Sequence, residues 1–314
     1  MRTVSCVTHP IIWIHFKIQV IFSSHIWIKQ IDSESADWKG WIMGMFSNIR
    51  IAKETLEIIS AGEYVVNGKT IRLPENDFEK VVVYDPRKGE ELLKEDLKEK
   101  PACETTCRYH VSAEDSFQAA ERYEHAFVLN FANAHKAGGA FRLGASAQEE
   151  ALCRNSTLYA SISSKAAREM YRYNNTHLSR VESDYMLYSP EVCVFRNERG
   201  SLKEKPFMTS VVTVPAPNRY GMAFFASKKY IRETMKRRMR IMFRIAAKYG
   251  HRNLILGAWG CGAFGNNPKD VASDFKTVLV DEQCQKFFDE VCFAIYGREN
   301  SANARAFRSV FDFT

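Results

Sequence analysis

The stretch that decides the fold is HAFVLNFANAHKAGGAFRLGASAQEEALCRNSTLY, residues 125–159. Its apolar start, residues 125–132, predicts a buried strand, and residues 147–162 predict a helix. Gly138 and Gly139 lie between the two, where glycine lets the backbone approach a ligand closely. Ligands of layered α/β folds bind in loops that follow the carboxyl ends of strands. The stretch therefore predicts one strand–loop–helix unit and a site within its loop.

Outward from this unit, strands and helices alternate along the chain. Strands are predicted at 80–84, 207–218, 252–259 and 291–297, and helices at 112–123 (capped by Ser112), 227–250, from 268 onward and at 303–311. Upstream lie a helix that begins at Ser47 or Asn48 and ends at Gly62, and a hairpin over 63–73 that turns on Asn67-Gly68. The alternation predicts an α/β fold in which helices cover both faces of the sheet, with an N-terminal helical and hairpin extension.

The composition is that of a globular protein. The chain has 314 residues, of which 46% are hydrophobic and 26% charged, enough for a sizeable core. The formal net charge of +7 favours polyanionic partners only mildly. The 8 cysteines are too sparse for a disulfide scaffold and indicate reduced thiols in the cytoplasm, or in the nucleus of a eukaryote.

The first 45 residues differ from the rest of the chain. The run IIWIHFKIQVIFSSHIWIKQ, residues 11–30, is apolar but interrupted by polar residues, so it predicts neither a membrane span nor a signal peptide. Alternation over residues 12–20 allows a strand. We interpret residues 1–45 as lying outside the domain, either disordered or untranslated, with translation starting at Met43 or Met45. The domain is then 46–314.

A second glycine loop, GAWGCGAFGNNPKD at 257–270, follows another predicted strand and opens a helix. Its glycines satisfy G-x-G-x-x-G, and such loops bring backbone N–H groups to a phosphate. A dinucleotide dehydrogenase carries this motif in its first βαβ unit, with an acidic residue after the next strand. Here the motif lies near the C-terminus, which argues against hydride transfer and favours a diphosphate loop of another kind. A tight turn without a ligand needs only one glycine.

Glu149 and Glu150 begin the helix that follows the first loop. Either carboxylate alone is explained by the helix dipole, which stabilises negative charge at this end. As neighbours, however, two carboxylates do not ionise independently, so the pKa of one is raised and it can hold a proton near neutrality. Such a pair suits general acid–base chemistry.

Together these segments resemble the poly(ADP-ribose) glycohydrolases of the microbial type, which are macrodomains. The family signature is three glycines, six to eight residues, then Gln-Glu-Glu. Here Gly138-Gly139-Ala140 is followed after seven residues by Gln148-Glu149-Glu150. The segments NFAN, LCRNSTLY and GAWGCGAFGNNP also match, so the resemblance covers about residue 46 to the C-terminus. It implies a macrodomain-like mixed sheet between helices.

The resemblance also implies residue roles. Glu150 is the expected general acid, which protonates the departing ribose 2′-oxygen and then activates water, while Glu149 orients ribose hydroxyls. The expected substrate-binding residues include Asn133, which contacts the distal ribose, and the two loops that clamp the diphosphate. They are Asn133, Gly138, Gly139, Ala140, Phe141, Gln148, Gly260, Cys261, Gly262, Ala263, Phe264 and Gly265. The scheme needs no metal and no cofactor. The expected partner is ADP-ribose polymer or ADP-ribosylated protein, with no membrane or stable nucleic-acid partner, and the chain is expected to be a monomer.

Ala140 departs from the family pattern, which has a third glycine there. If this position needs a positive φ, alanine costs ~1–2 kcal/mol, and its methyl group could crowd the ligand. Two alternatives to polymer hydrolysis follow: a macrodomain that binds ADP-ribose without efficient hydrolysis, or a hydrolase of mono-ADP-ribose. The glutamate pair favours hydrolysis, because binding alone needs no buried acid.

Three other groups of residues have chemistry of their own. Cys103, Cys107 and His110 have a C-x3-C-x2-H spacing, but no fourth zinc ligand is near in sequence, so no metal site is expected. Cys153 and Cys261 are interpreted as packing residues, because no histidine lies near either in sequence. The basic run KKYIRETMKRRMR, 228–240, is interpreted as the solvated face of a helix, with guidance of a polyanion as the functional alternative.

Overall fold

The computed structural model describes residues 36–97 and 107–311. Helix α1 spans Ala36–Ala61 and is followed by a hairpin of β1, Glu63–Val66, and β2, Lys69–Arg72. Residues 1–35, most of the segment assigned outside the domain, lie beyond the described residues. Among the described residues, none of the helices is both long and apolar enough to cross a bilayer.

The predicted start of α1 at Ser47 or Asn48 is wrong, because the helix begins at Ala36. Both residues are common N-caps, yet the sequence before them contains no helix breaker other than single glycines. The Asn48 side chain instead donates to the carbonyl oxygen of Gly144 at 3.1 Å. The predicted domain boundary after residue 45 falls inside this helix.

The main sheet has seven strands. They are β3, Val82–Tyr84; β4, Arg108–Ser112; β5, Phe127–Ala132; β6, Met186–Arg196; β7, Leu202–Pro215; β8, Asn253–Leu256; and β9, Glu290–Ala294. Their order is β3-β6-β7-β5-β8-β9-β4. Strands β7, β5, β8, β9 and β4 are parallel, whereas β6 is antiparallel to both of its neighbours. Parallel strands direct their carboxyl ends to one edge, so the loops after β7, β5 and β8 are neighbours there.

Helices cover both faces of this sheet. They are α2, Pro86–Lys94; α3, Ser116–Ala120; α4, Gln148–Asn155; α5, Leu158–Ile162; α6, Arg168–Thr176; α7, Lys228–Lys248; α8, Pro268–Lys276; and α9, Ala302–Phe311. One core contains buried residues of α7, α8 and α9, such as Phe243, Phe275 and Phe307. The other contains residues of α3, α4 and α6, such as Phe117, Leu152 and Met170. The predicted α/β layers are confirmed.

Two local predictions need correction, and some elements were not predicted. The helix predicted at 112–123 begins at Ser116, and its cap is Asp115, whose carboxylate accepts from Phe117 N and Gln118 N. The single helix predicted over 147–162 is two helices, α4 and α5, separated by an extended Ser156 that pairs with Val194 of β6. Helices α2 and α6 and strands β4 and β6 were not predicted.

Candidate active site

The site lies where β5 ends, at the centre of the sheet. Strand β5 pairs with β7 over its whole length, but with β8 only at Phe127 and Val128. Beyond that point β5 and β8 have separate ends, each followed by one of the two glycine loops. A crevice between neighbouring strand ends is the usual ligand site of parallel sheets.

Gln148 occupies the side of β5 that β8 leaves unpaired. Its amide oxygen accepts from Phe131 N at 2.8 Å, and its amide nitrogen donates to Leu129 O at 2.8 Å. The amide thus forms the two backbone hydrogen bonds that a neighbouring strand would otherwise form. Gln148 was predicted to bind substrate, but the structure turns its side chain toward the protein, where it fixes the start of α4 against β5.

Glu149 is held by the end of the same strand. Its carboxylate accepts from Asn133 N at 2.8 Å and from the Asn130 amide at 3.3 Å. The side chain is almost fully buried. Burial, reinforced by the neighbouring Glu150 and opposed by the Asn133 hydrogen bond, raises the pKa of Glu149 to about 8. The two neighbouring carboxyls therefore share a proton near neutrality.

Glu150 is held differently, by the first glycine loop. One oxygen, Oε1, accepts from Ala140 N at 3.1 Å, and Oε2 accepts from none of the described residues. A Cβ on Gly139, whose φ is +52°, would lie 2.4 Å from Oε1. Only glycine therefore leaves room for this carboxylate. Glu150 is 9% exposed against 3% for Glu149, so it is the more accessible acid of the two.

Ala140 does not need the glycine that the family pattern has there. Its φ is −109° and its ψ is 30°, a conformation open to any residue. The strain expected from a positive φ is therefore absent. The two positions that do need glycine are Gly138 and Gly139, both at positive φ.

The predicted first-loop residues fall into two groups. Asn133 lies at the rim, and its Oδ1 accepts from His135 N and Lys136 N at 2.8 and 3.1 Å, while its Nδ2 bonds to none of the described residues. Phe141, in contrast, is 1% exposed and packs against Tyr159, with ring centroids 4.6 Å apart. Asn133 is thus available to a ligand, whereas the Phe141 side chain is part of the core.

The second glycine loop presents free backbone donors. Among the described residues, none accepts a hydrogen bond from the N–H groups of Gly262, Ala263 or Phe264. Gly262 and Ala263 are exposed. Successive unpaired N–H groups of this kind form an anion-binding nest. Gly260 and Gly265 shape the loop at positive φ: a Cβ on Gly260 would lie 2.7 Å from Asn266 Nδ2.

The cysteines beside the loops are not nucleophiles. Cys153 is fully buried, and burial raises the pKa of its thiol well above the usual range. Burial also raises the pKa of Cys261 to about 12. A thiol is nucleophilic only as the thiolate, so both remain unreactive near neutrality. This agrees with their interpretation as packing residues.

The described part of the chain contains no group of three His, Cys, Asp or Glu side chains placed to hold a metal. Of the residues with zinc-like spacing, Cys103 lies outside the described residues, and His110 Nδ1 lies 3.1 Å from Glu290 Oε1.

The basic helix α7 is less solvated than its sequence suggested. Arg238 is fully buried, and Arg232 pairs with Asp274 at 2.6 Å.

Sequence reasoning missed two polar residues that support the site. Asn130, fully buried in β5, donates to Glu149 and to Thr213 Oγ1, the latter at 3.1 Å. Asn174 of α6 donates to Ala134 O at 3.1 Å and so ties the first loop to the helix. Asn130 could have been found from the sequence, because it is a polar residue inside the apolar run FVLNFA, and a buried polar side chain needs a hydrogen-bond partner.

Comparisons with known proteins point to one family. Residues 52–197 match the family described as microbial-type PARG, catalytic domain. The chain is similar to poly(ADP-ribose) glycohydrolase from Thermomonospora curvata, with 34% identity over 85% of this chain and 100% of that one, and a TM-score of 0.79. It is likewise similar to the Deinococcus radiodurans enzyme in complex with ADP-ribose, with 34% identity over 77% of this chain and 99% of that one, and a TM-score of 0.70.

A third similar structure is the Thermomonospora enzyme bound to the inhibitor ADP-HPD, with 34% identity over 84% of this chain and 99% of that one, and a TM-score of 0.75. A search of curated proteins found no match. The structural similarities confirm the resemblance seen in the sequence and the macrodomain-like fold it implied.

Proposed function

Because the chain belongs to the microbial-type poly(ADP-ribose) glycohydrolase family, we propose that it hydrolyses ribose–ribose glycosidic bonds of poly(ADP-ribose) and releases ADP-ribose. The observation that carries the proposal is the buried carboxylate pair at the end of β5, beside the unpaired N–H groups of residues 262–264. The carboxylate pair suits an acid-catalysed reaction, and the unpaired N–H groups suit an anionic substrate.

Glu150 is the general acid of this proposal. Its Oε2 accepts no hydrogen bond from the described residues, so it is the pair's available oxygen, whereas the Glu149 carboxylate is engaged by Asn133 and Asn130. Glu150 gives its proton to the 2′-oxygen of the departing ribose as the C1″–O bond breaks. The terminal ribose becomes an oxocarbenium-like species, and Glu150 then takes a proton from the water that attacks C1″.

The surrounding groups position the substrate. The Glu149 carboxyl can bind a ribose hydroxyl, and the free amide of Asn133 can donate to another. The N–H groups of residues 262–264 bind the diphosphate, whose negative charge stabilises the cationic ribose. These steps use no metal and no cofactor.

The experiment is incubation with defined poly(ADP-ribose) and, separately, with mono-ADP-ribosylated protein, with products resolved by mass. We expect ADP-ribose from the polymer and its loss in Glu150→Gln. A wild type that binds ADP-ribose but releases none from polymer would overturn the proposal. Release from mono-ADP-ribosylated protein alone would assign the site to the other substrate. The φ of Ala140 removes the strain that was one ground for the non-hydrolysing alternative, and Ala140→Gly tests the other ground, crowding of the ligand by the methyl group.

A further inference from the structure

The loop between β7 and α7, residues 216–227, exposes a cluster of large apolar side chains. We call it the aromatic loop. Phe224 and Phe225 are 75% and 66% exposed, and Tyr220 and Met222 are 51% and 49% exposed. Single exposed apolar residues are common on proteins, but a contiguous group of them marks a binding surface. The function described above does not use this group.

The aromatic loop borders the proposed active site. Strand β7 runs parallel to β5 with Pro215 beside Ala132, so the loop leaves the sheet next to the carboxylate pair. It also contacts the second glycine loop, where Arg219 N donates to Phe264 O at 2.9 Å. The exposed rings are thus an extension of the site.

The loop is held in place by contacts with the rest of the protein. Ala223, 1% exposed, anchors a short 3₁₀ turn, Met222–Phe225, whose other side chains face outward. At its base, fully buried Arg238 donates to Pro215 O at 2.8 Å, and Asn266 donates to Pro217 O at 2.9 Å. A surface that is already ordered loses little conformational entropy on binding.

The charge around the rings suits an anionic partner. Arg180, Arg219 and Lys229 are exposed and form no ion pair with the described residues. The Arg180 guanidinium donates to Phe225 O at 3.3 Å, which places its charge beside the rings. Aromatic side chains flanked by cations are the usual platform for single-stranded nucleic acids, in which bases stack and phosphates meet the cations. Poly(ADP-ribose) offers the same chemistry, an adenine and a diphosphate in each unit.

Stereochemistry directs the next unit of the polymer away from the diphosphate. The terminal ribose carries its diphosphate at C5″ and the scissile bond at C1″, at opposite ends of the ring. With the diphosphate between the loops that follow β5 and β8, and C1″ at Glu150, the remaining chain continues away from β8. In the strand order, β7 lies on the side of β5 opposite to β8, and the aromatic loop follows β7.

We propose that Phe224 and Phe225 form a second binding site, which stacks an adenine of the polymer beyond the terminal ADP-ribose. The proposal rests on the proposed function, since it takes the position of the terminal unit from it. The site binds the group that leaves. It therefore distinguishes polymer from a single ADP-ribose.

The test measures binding without turnover, in the Glu150→Gln background. Calorimetry compares free ADP-ribose with an ADP-ribose trimer. Phe224→Leu/Phe225→Leu keeps apolar bulk but removes both rings, and Phe224→Tyr/Phe225→Tyr is the matched control that keeps them. We expect the leucine variant to lose about 5- to 150-fold in trimer affinity, the equivalent of ~1–3 kcal/mol per stacked base, with unchanged affinity for ADP-ribose. The tyrosine variant should bind as the parent does.

Each outcome decides between the two proposals. Equal trimer affinity in the leucine variant and its parent overturns this inference, even if the wild type hydrolyses polymer. A parent that binds trimer no better than ADP-ribose also overturns it. A leucine effect in a protein whose wild type releases no ADP-ribose supports the second site and rejects the hydrolase. Ring-dependent sedimentation with phosphatidylserine vesicles, with trimer affinity unchanged, would assign the surface to a membrane instead.

Discussion

Gly139→Ala tests whether the first glycine loop positions Glu150, the proposed catalytic acid. The new Cβ would lie 2.4 Å from Glu150 Oε1, so the carboxylate must move. The relief of that contact needs a shift of about 1 Å, and a misplacement of this size costs ~10²-fold in rate. The same shift weakens the hydrogen bond from Ala140 N. We expect kcat on polymer to fall about 100-fold.

Gly250→Ala is the matched control. Gly250 also has a positive φ, +72°, but no atom lies within 4 Å of an added Cβ. Both substitutions bear the ~1–2 kcal/mol cost of alanine at positive φ, partly offset by ~0.4–1 kcal/mol from the less flexible unfolded chain. Thermal unfolding should show similar small losses for both, whereas only Gly139→Ala should lose turnover. Wild-type kcat in Gly139→Ala would refute the positioning argument.

Three further predictions concern the same loop and pair. Glu150→Gln should lower kcat by ~10²–10⁴ while calorimetry shows ADP-ribose affinity within a few-fold; full turnover would mean that another group supplies the proton. Ala140→Gly should leave kcat unchanged and cost ~0.5–1 kcal/mol of stability, because φ is −109°; a large gain in kcat would show that the methyl group crowds the substrate. The raised pKa of Glu149, about 8, should make the free energy of unfolding fall between pH 5 and 8.

The sign of that pH dependence follows from linkage. A carboxyl whose pKa is higher folded than unfolded favours folding when protonated, so its contribution is complete below pH ~4.3 and is lost as the pH rises through about 8. A tenfold difference in proton affinity between the folded and unfolded chain is worth ~1.4 kcal/mol, so the whole contribution amounts to a few kcal/mol. Chemical denaturation of wild type and Glu149→Gln at several pH values measures it. A glutamine variant with the same pH slope would contradict the assignment.

The sequence predicted the strands and loops that build the site because their signals are local. The apolar strand β5 is followed by two adjacent glycines and then by two adjacent acids. The strand predicts a buried position, the glycines a close approach to a ligand, and the acids proton transfer. Strand β6 was missed because Pro190 interrupts its run, and the sheet accommodates it with a register shift between Ser189 and Val192. The direction in which a side chain points depends on residues far away in the sequence, so it could not be predicted. Gln148 points to the strand and Phe141 to the core, although both lie within the stretch that carries the motif.

The Gln148 amide also has a consequence for the speed of substrate capture. Since it satisfies the exposed side of β5 by itself, β5 and β8 have no hydrogen-bonding reason to close together at Leu129 and Phe131. The two strand ends are therefore held apart by the protein itself. A substrate that binds between the glycine loops beyond them breaks no strand–strand hydrogen bond, so its capture needs no such opening step.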